Sequence, residues 1–173
     1  MSYPHDFNLH KKNLLIIGAG GATKGILGPI LDVRPASITI SNRSFEKIAL
    51  LREQFNSPLL SFNLLNDLNS DGNSNNFEKS GSFDIIINAT SSSVSMEDSL
   101  INPKYFRNAQ VIVDLFYAKK LTSFLRVAKK YGCNSVMDGF PMLVEQAAES
   151  FYIWTGLKPD TNRIISKRDV FFG

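Results

Sequence analysis

The stretch Asn13-Leu14-Leu15-Ile16-Ile17-Gly18-Ala19-Gly20-Gly21-Ala22-Thr23 most narrows what this chain can fold into. Its apolar run does not alternate, which fits a strand covered on both faces, as in a parallel sheet. A glycine turn follows, and then a segment that reads as a helix. Strand, glycine turn and helix in this order are expected to hold the pyrophosphate of a dinucleotide, the plainer alternative being a purely structural tight turn. Gly18 permits the tight turn, and Gly20 lets the backbone approach the phosphates with no Cβ in the way. Thr23 stands where the third glycine of the fingerprint falls, and Ala22 precedes it. Small residues there keep the helix close to the sheet, and its first free N–H groups face the anion.

About twenty residues later comes Ile38-Thr39-Ile40-Ser41-Asn42-Arg43-Ser44, where the second strand of such a unit ends. A carboxylate at that end would accept hydrogen bonds from a ribose 2′-hydroxyl. Asn42-Arg43-Ser44 offers none, and Lys47 lies one helical turn further on. Arg43 can fork onto a phosphate, and Asn42 and Ser44 can donate to it. The expected cofactor is therefore NADP rather than NAD. The plainer alternative is that Arg43 and Lys47 are solvated charges beside a loop.

At 173 residues the chain is one domain, or one domain with an appendage. Apolar residues make up 43% of it, enough for a core. No run approaches the roughly 18 apolar residues of a membrane span, and residues 1–12 carry no apolar signal segment. The net charge of +3 is mild and the basic residues are interspersed with acidic ones. Neither a membrane nor a nucleic acid is expected as a partner. The single cysteine, Cys133, excludes an internal disulfide framework and fits a reducing, cytoplasmic setting.

The pattern along the chain is β-α alternation, which means a doubly wound, mostly parallel α/β sheet of Rossmann type. Strands are expected at 13–18, 37–41, 59–62, 83–89, 110–114 and 135–138. Helices are expected at 22–31, at 44–55 with Ser44 as N-cap, at 122–131 and at 142–155. Gly28-Pro29 is expected to kink or shorten the first helix. In the last, Leu143, Ala147, Phe151 and Trp154 recur at helical spacing. Residues 66–82, rich in Asn, Ser, Asp and Gly, read as a long surface loop. The expected organisation is a tail or truncated linker over 1–12, the NADP-binding domain over 13–160, and a tail over 161–173 that ends in a short helix.

Two further segments follow parallel strands directly, Asn88-Ala89-Thr90 and Asp114-Leu115-Phe116-Tyr117. The carboxyl ends of strands are where open α/β sheets bind ligands. With Asp138-Gly139 and Gln146 these complete the candidates. Taken singly, each has an ordinary structural reading: a capped turn, half-buried packing, an exposed helix residue.

Taken in order, the motifs are more specific. Gly18-Ala19-Gly20-Gly21-Ala22, Asn42-Arg43-Ser44, Asn88-Ala89-Thr90-Ser91-Ser92, Val113-Asp114-Leu115-Phe116-Tyr117, Asp138-Gly139 and Met142-Leu143-Val144-Glu145-Gln146-Ala147 closely resemble the cofactor-binding half of shikimate dehydrogenases. The resemblance covers about residues 13–160. It implies NADP-dependent interconversion of 3-dehydroshikimate and shikimate, a step of aromatic amino-acid synthesis. By position it places Gly18, Ala19, Gly20, Gly21 and Ala22 on the pyrophosphate. It places Asn42, Arg43, Ser44 and Lys47 on the 2′-phosphate. Thr90, Leu115 and Gly139 fall to the nicotinamide end, Asn88 to the cofactor more generally, and Tyr117 and Gln146 to the substrate. No metal is implied.

Three positions depart from the family's pattern: Ser93 in place of a glycine, Phe140-Pro141 before Met142, and Ser123 in place of a proline. The resemblance also implies a catalytic lysine and aspartate in an N-terminal substrate domain. Twelve residues precede Asn13, and none of Asp6, Lys11 or Lys12 sits in that motif. The expectation is a chain that binds NADP but turns over poorly or not at all alone. Its alternatives are a stand-alone NADP-binding sensor or docking module, and a quinate/shikimate dehydrogenase relative. The apolar face of helix 142–155 is then expected to be exposed and open to self-association.

Overall fold

The computed structural model describes residues 8–69, 82–90 and 101–172. Six strands form one sheet: β1 (Asn13–Ile17), β2 (Ser37–Asn42), β3 (Leu60–Leu64), β4 (Ile85–Asn88), β5 (Val111–Asp114) and β6 (Val136–Asp138). Their order is β3-β2-β1-β4-β5-β6 and every pairing is parallel. This is the doubly wound arrangement, with its topological switch between β1 and β4.

The unbroken apolar run of β1 is explained by two cores. Leu14 and Ile16 pack with Leu27, Ile30, Ile48 and Leu51 on one face. Leu15 and Ile17 pack with Leu65, Leu68, Phe106, Phe124 and Leu125 on the other. The first face is covered by α1 (Gly21–Asp32) and α2 (Phe45–Gln54). The second is covered by α3 (Leu65–Asn69), α4 (Lys104–Asn108) and α5 (Ser123–Lys130). All four apolar residues of β1 are fully buried, so truncating Ile16 to alanine would cost about 2–5 kcal/mol.

Several expectations change. Pro29 lies inside α1, yet the helix continues to Asp32 and is not shortened. Leu27 and Ile30 are buried on either side of the proline, and their packing holds the last turn in place. The segment read as a surface loop begins as α3, whose Leu65 and Leu68 are buried; residues 70–81 lie outside the described residues. Helix α4 shows no period in the sequence, being only five residues around the buried Phe106. Residues 8–12 are not loose, since Lys11 N–H donates to the Arg34 carbonyl and Ala36 N–H to that of Lys12.

The largest change is at the C-terminus. Helix α6 (Phe140–Thr155) ends on Gly156, in the left-handed conformation. It is followed by α7 (Thr161–Ser166) and α8 (Arg168–Phe172). Residues 161–172 are not a detached tail: Arg168 of α8 is buried and ion-paired to Asp138 at the end of β6.

Candidate functional site

A cleft of about 350 Å³ opens at the carboxyl ends of β1 and β2, beside the switch point. Gly18, Ala19 and Gly20 form one wall; Asn42, Arg43, Ser44 and Lys47 another; Thr90 a third. The structure thus brings the glycine turn and the Asn42-Arg43-Ser44 segment together around one space.

Local physics explains the turn. Gly18 has φ +112, which favours glycine. A Cβ there would stand 2.9 Å from the Ala89 carbonyl oxygen. Buried Thr23 donates its hydroxyl to the Gly18 carbonyl at 2.8 Å, tying α1 to the turn. This gives the residue at the third-glycine position a bonding role rather than only a small size. A Cβ on Gly20 or Gly21 would meet nothing within 4 Å, so the backbone here faces open space. No side chain caps the start of α1 and its first turn carries no acid. Its N–H groups therefore remain available to an anion.

The opposite wall is basic and exposed. Arg43 and Lys47 are both exposed, and the Asn42 amide donates to the Ser44 carbonyl at 3.1 Å. Ser44 is the N-cap of α2, accepting from Lys47 N–H. Its hydroxyl donates to Glu46 Oε2 at 2.6 Å. That hydrogen bond holds the Glu46 carboxyl below the usual carboxylate range. A carboxylate therefore stands beside the cation pair, which the Asn42-Arg43-Ser44 motif alone does not show although Glu46 lies between Ser44 and Lys47.

Four further residues line the cleft: Ile17, Ser41, Leu65 and Ala89. Ser41 is fully buried, and its hydroxyl has no hydrogen-bond partner among the described residues. An orphaned buried hydroxyl in the wall fits a polar ligand rather than a dry cavity. Leu65 was masked by the polar residues after it; the only signal was its three-residue spacing from Leu68.

The remaining predicted residues lie elsewhere. Asn88 is fully buried beneath the cleft rather than on its surface. Its amide donates to Asp114 Oδ1 at 3.1 Å, and its carbonyl accepts from Thr90 N–H and hydroxyl at 3.1 and 2.8 Å. Asn88 thus orients Thr90 and, in this arrangement, presents no side-chain atom to a ligand. Gly21 and Ala22 are exposed in the first turn of α1, next to the cleft wall. Leu115 and Gly139 meet at the ends of β5 and β6, where Gly139 N–H donates to the Phe116 carbonyl at 3.1 Å. Tyr117 is part-exposed among Phe116, Phe140 and Phe172, at ring distances of 6.2, 6.4 and 6.3 Å. Gln146 is exposed on α6. Ser91, Ser92 and Ser93 lie outside the described residues.

Among the described residues no helix is long and apolar enough to cross a membrane. None of them forms a metal-binding group of three or more His, Cys, Asp or Glu.

Comparison with known proteins bears on the same segments. The family model for shikimate / quinate 5-dehydrogenase matches residues 4–119, and that for the shikimate 5′-dehydrogenase C-terminal domain matches residues 139–166. A shikimate dehydrogenase (NADP(+)) of Vibrio cholerae is 42% identical over 153 residues, 88% of this chain and 51% of that protein. An Ael1 enzyme from Pseudomonas putida superposes with a TM-score of 0.80 at 36% identity, covering 92% of this chain and 55% of that one. A shikimate dehydrogenase crystallised with NADP+ superposes with a TM-score of 0.68 at 31% identity, covering 91% and 55%. The chain spans about half the length of the curated relatives it matches. With its switch-point cleft, its ordered motifs and both family models in agreement, the chain belongs to the shikimate/quinate 5-dehydrogenase family.

Proposed function

We propose that this chain is the NADP-binding portion of a shikimate dehydrogenase, acting with a substrate domain to interconvert 3-dehydroshikimate and shikimate in the cytoplasm. The observation that carries the reading is the cleft wall at the end of β2, where Arg43 and Lys47 stand in place of a carboxylate. Charge-assisted bonds of this kind contribute about 1.5–3 kcal/mol each. A single one of them gives roughly tenfold to 150-fold preference for a 2′-phosphate over a 2′-hydroxyl.

Bound NADP would supply the hydride-carrying nicotinamide. The chain's residues do the rest of this half's work. Gly18, Ala19, Gly20, Gly21 and Ala22 present the turn and the α1 N–H groups to the pyrophosphate. Asn42, Arg43, Ser44 and Lys47 hold the 2′-phosphate. Thr90, oriented by Asn88, and the Leu115 and Gly139 backbones border the nicotinamide. Tyr117 and Gln146 reach toward the substrate. The group that moves a proton at the reacting oxygen comes from the substrate domain. The exposed apolar residues of α6, Phe151 and Trp154 among them, form the face on which that domain or a second copy docks. The relatives favour this reading over a stand-alone sensor module.

The test is a chimera joining this chain to the substrate half of the Vibrio cholerae relative. NADPH should accumulate only when shikimate is present, and far faster than with this chain alone. A chimera that folds and binds NADP yet makes no shikimate-dependent NADPH would overturn the assignment.

A further inference from the structure

We infer that Arg168 is a positioning residue for the nicotinamide end of the site, clamping the β6–α6 turn to the loop after β5 from the C-terminal helix α8. The inference rests on the cofactor reading above for what the clamped segments touch, and on the structure alone for the clamp itself.

Arginine is almost never buried unless paired. Arg168 is 6% exposed, whereas its helix neighbours Val170 and Phe171 are 76% and 62% exposed. Its guanidinium meets the equally buried Asp138 through two contacts, Nη1 to Oδ1 at 2.7 Å and Nη2 to Oδ2 at 2.6 Å. Nη2 also donates to the Ala118 carbonyl. The guanidinium carbon lies 5.2 Å from the Phe140 ring centre and 5.0 Å from that of Phe172. One side chain therefore joins three segments distant in sequence: α8, the end of β6, and the loop that leaves β5.

Those last two segments carry Leu115, Tyr117 and Gly139. Asp138 Oδ1 also accepts from Phe140 N–H at 3.2 Å, so the carboxylate that Arg168 grips sets the first turn of α6. Gly139 N–H bonds to the Phe116 carbonyl, closing the gap between the same two segments. A buried ion pair contributes little net stability over an apolar replacement. What the fork does supply is geometry, because its planar donors fix the orientation of whatever they hold. Lysine, a point charge on a flexible stem, cannot reproduce it.

The test compares wild type with R168K, and with D138N/R168M, which removes both charges together so that no unpaired buried charge remains. Two probes are titrated by calorimetry: NADP, which reaches the nicotinamide end, and adenosine 2′,5′-bisphosphate, which stops at the phosphate wall. Amide exchange at Gly139 and Phe140 is followed in parallel, without ligand. Both variants should bind NADP at least roughly fivefold more weakly while the bisphosphate changes by less than about twofold. Exchange at the two amides should accelerate about tenfold or more. Equal loss for both probes would overturn the inference, since that marks general damage to the domain. So would unchanged exchange at Gly139 and Phe140. If wild type binds neither probe, the cofactor reading fails instead, and the exchange rates still decide whether Arg168 clamps the turn.

Discussion

Gly139 and Leu115 touch backbone to backbone: a Cβ on Gly139 would stand 2.0 Å from the Leu115 carbonyl oxygen. The neighbour is main chain in the loop leaving β5 and cannot swing aside. The approach of β6 to β5 at the carboxyl edge of the sheet therefore depends on a missing side chain. Gly139 has ordinary φ and ψ, so space and not backbone conformation demands glycine here.

Gly139→Ala should accordingly destabilise the domain by about 1–3 kcal/mol, the usual cost of overpacking. It should weaken NADP more than adenosine 2′,5′-bisphosphate. Thermal unfolding and the two titrations check both statements. An alanine variant as stable as wild type would mean that the strands can part at no cost.

Arg43→Asp should weaken NADP by about tenfold or more, through loss of a charge-assisted bond and gain of a like charge. NAD binding should be spared. Equal loss of both cofactors would place the phosphate elsewhere.

In the proposed site Glu46 would compete with the 2′-phosphate for the Ser44 hydroxyl, which donates to its carboxylate. Glu46→Gln should therefore strengthen NADP binding by about twofold to fivefold, an effect that shrinks as salt screens it. NAD affinity should not move. A weaker NADP affinity in E46Q would show that the carboxylate organises the wall rather than opposing the ligand.

Burial pushes the Cys133 thiol and the Tyr105 phenol up from their ordinary values. Each group then holds its proton more tightly folded than unfolded. Their contribution to stability is present below the ordinary pKa and is lost as pH rises through the raised one. Through these two groups stability should be unchanged from neutral pH to about pH 8.5 and fall above it. Denaturant melts across that range check the sign. Cys133 should also react with a thiol reagent only on unfolding.

How much of this was legible in the chain depended on how local the physics is. The apolar runs of β1, β4 and β5 and the glycine turn announce themselves, because burial on two faces and a positive φ leave direct marks on sequence. Ser44 as an N-cap is similarly readable, since capping is a matter of three residues. What sequence did not reveal was long-range. Nothing near Arg168 marks it as buried; its partner lies thirty residues away. Asn88 ends a strand at the right edge for a ligand, but its amide is drawn to Asp114, twenty-six residues on. Short helices such as α3 and α4 carry too few apolar positions to show a period, and tertiary packing of Leu68 and Phe106 makes them.

We propose that the wall formed by Arg43, Ser44 and Lys47 reads a 2′-phosphate. The most direct measurement is a calorimetric titration of the purified chain with NADP and with NAD at one fixed ionic strength. NADP should bind at least about tenfold more tightly than NAD. Equal affinities, or a preference for NAD, would contradict it.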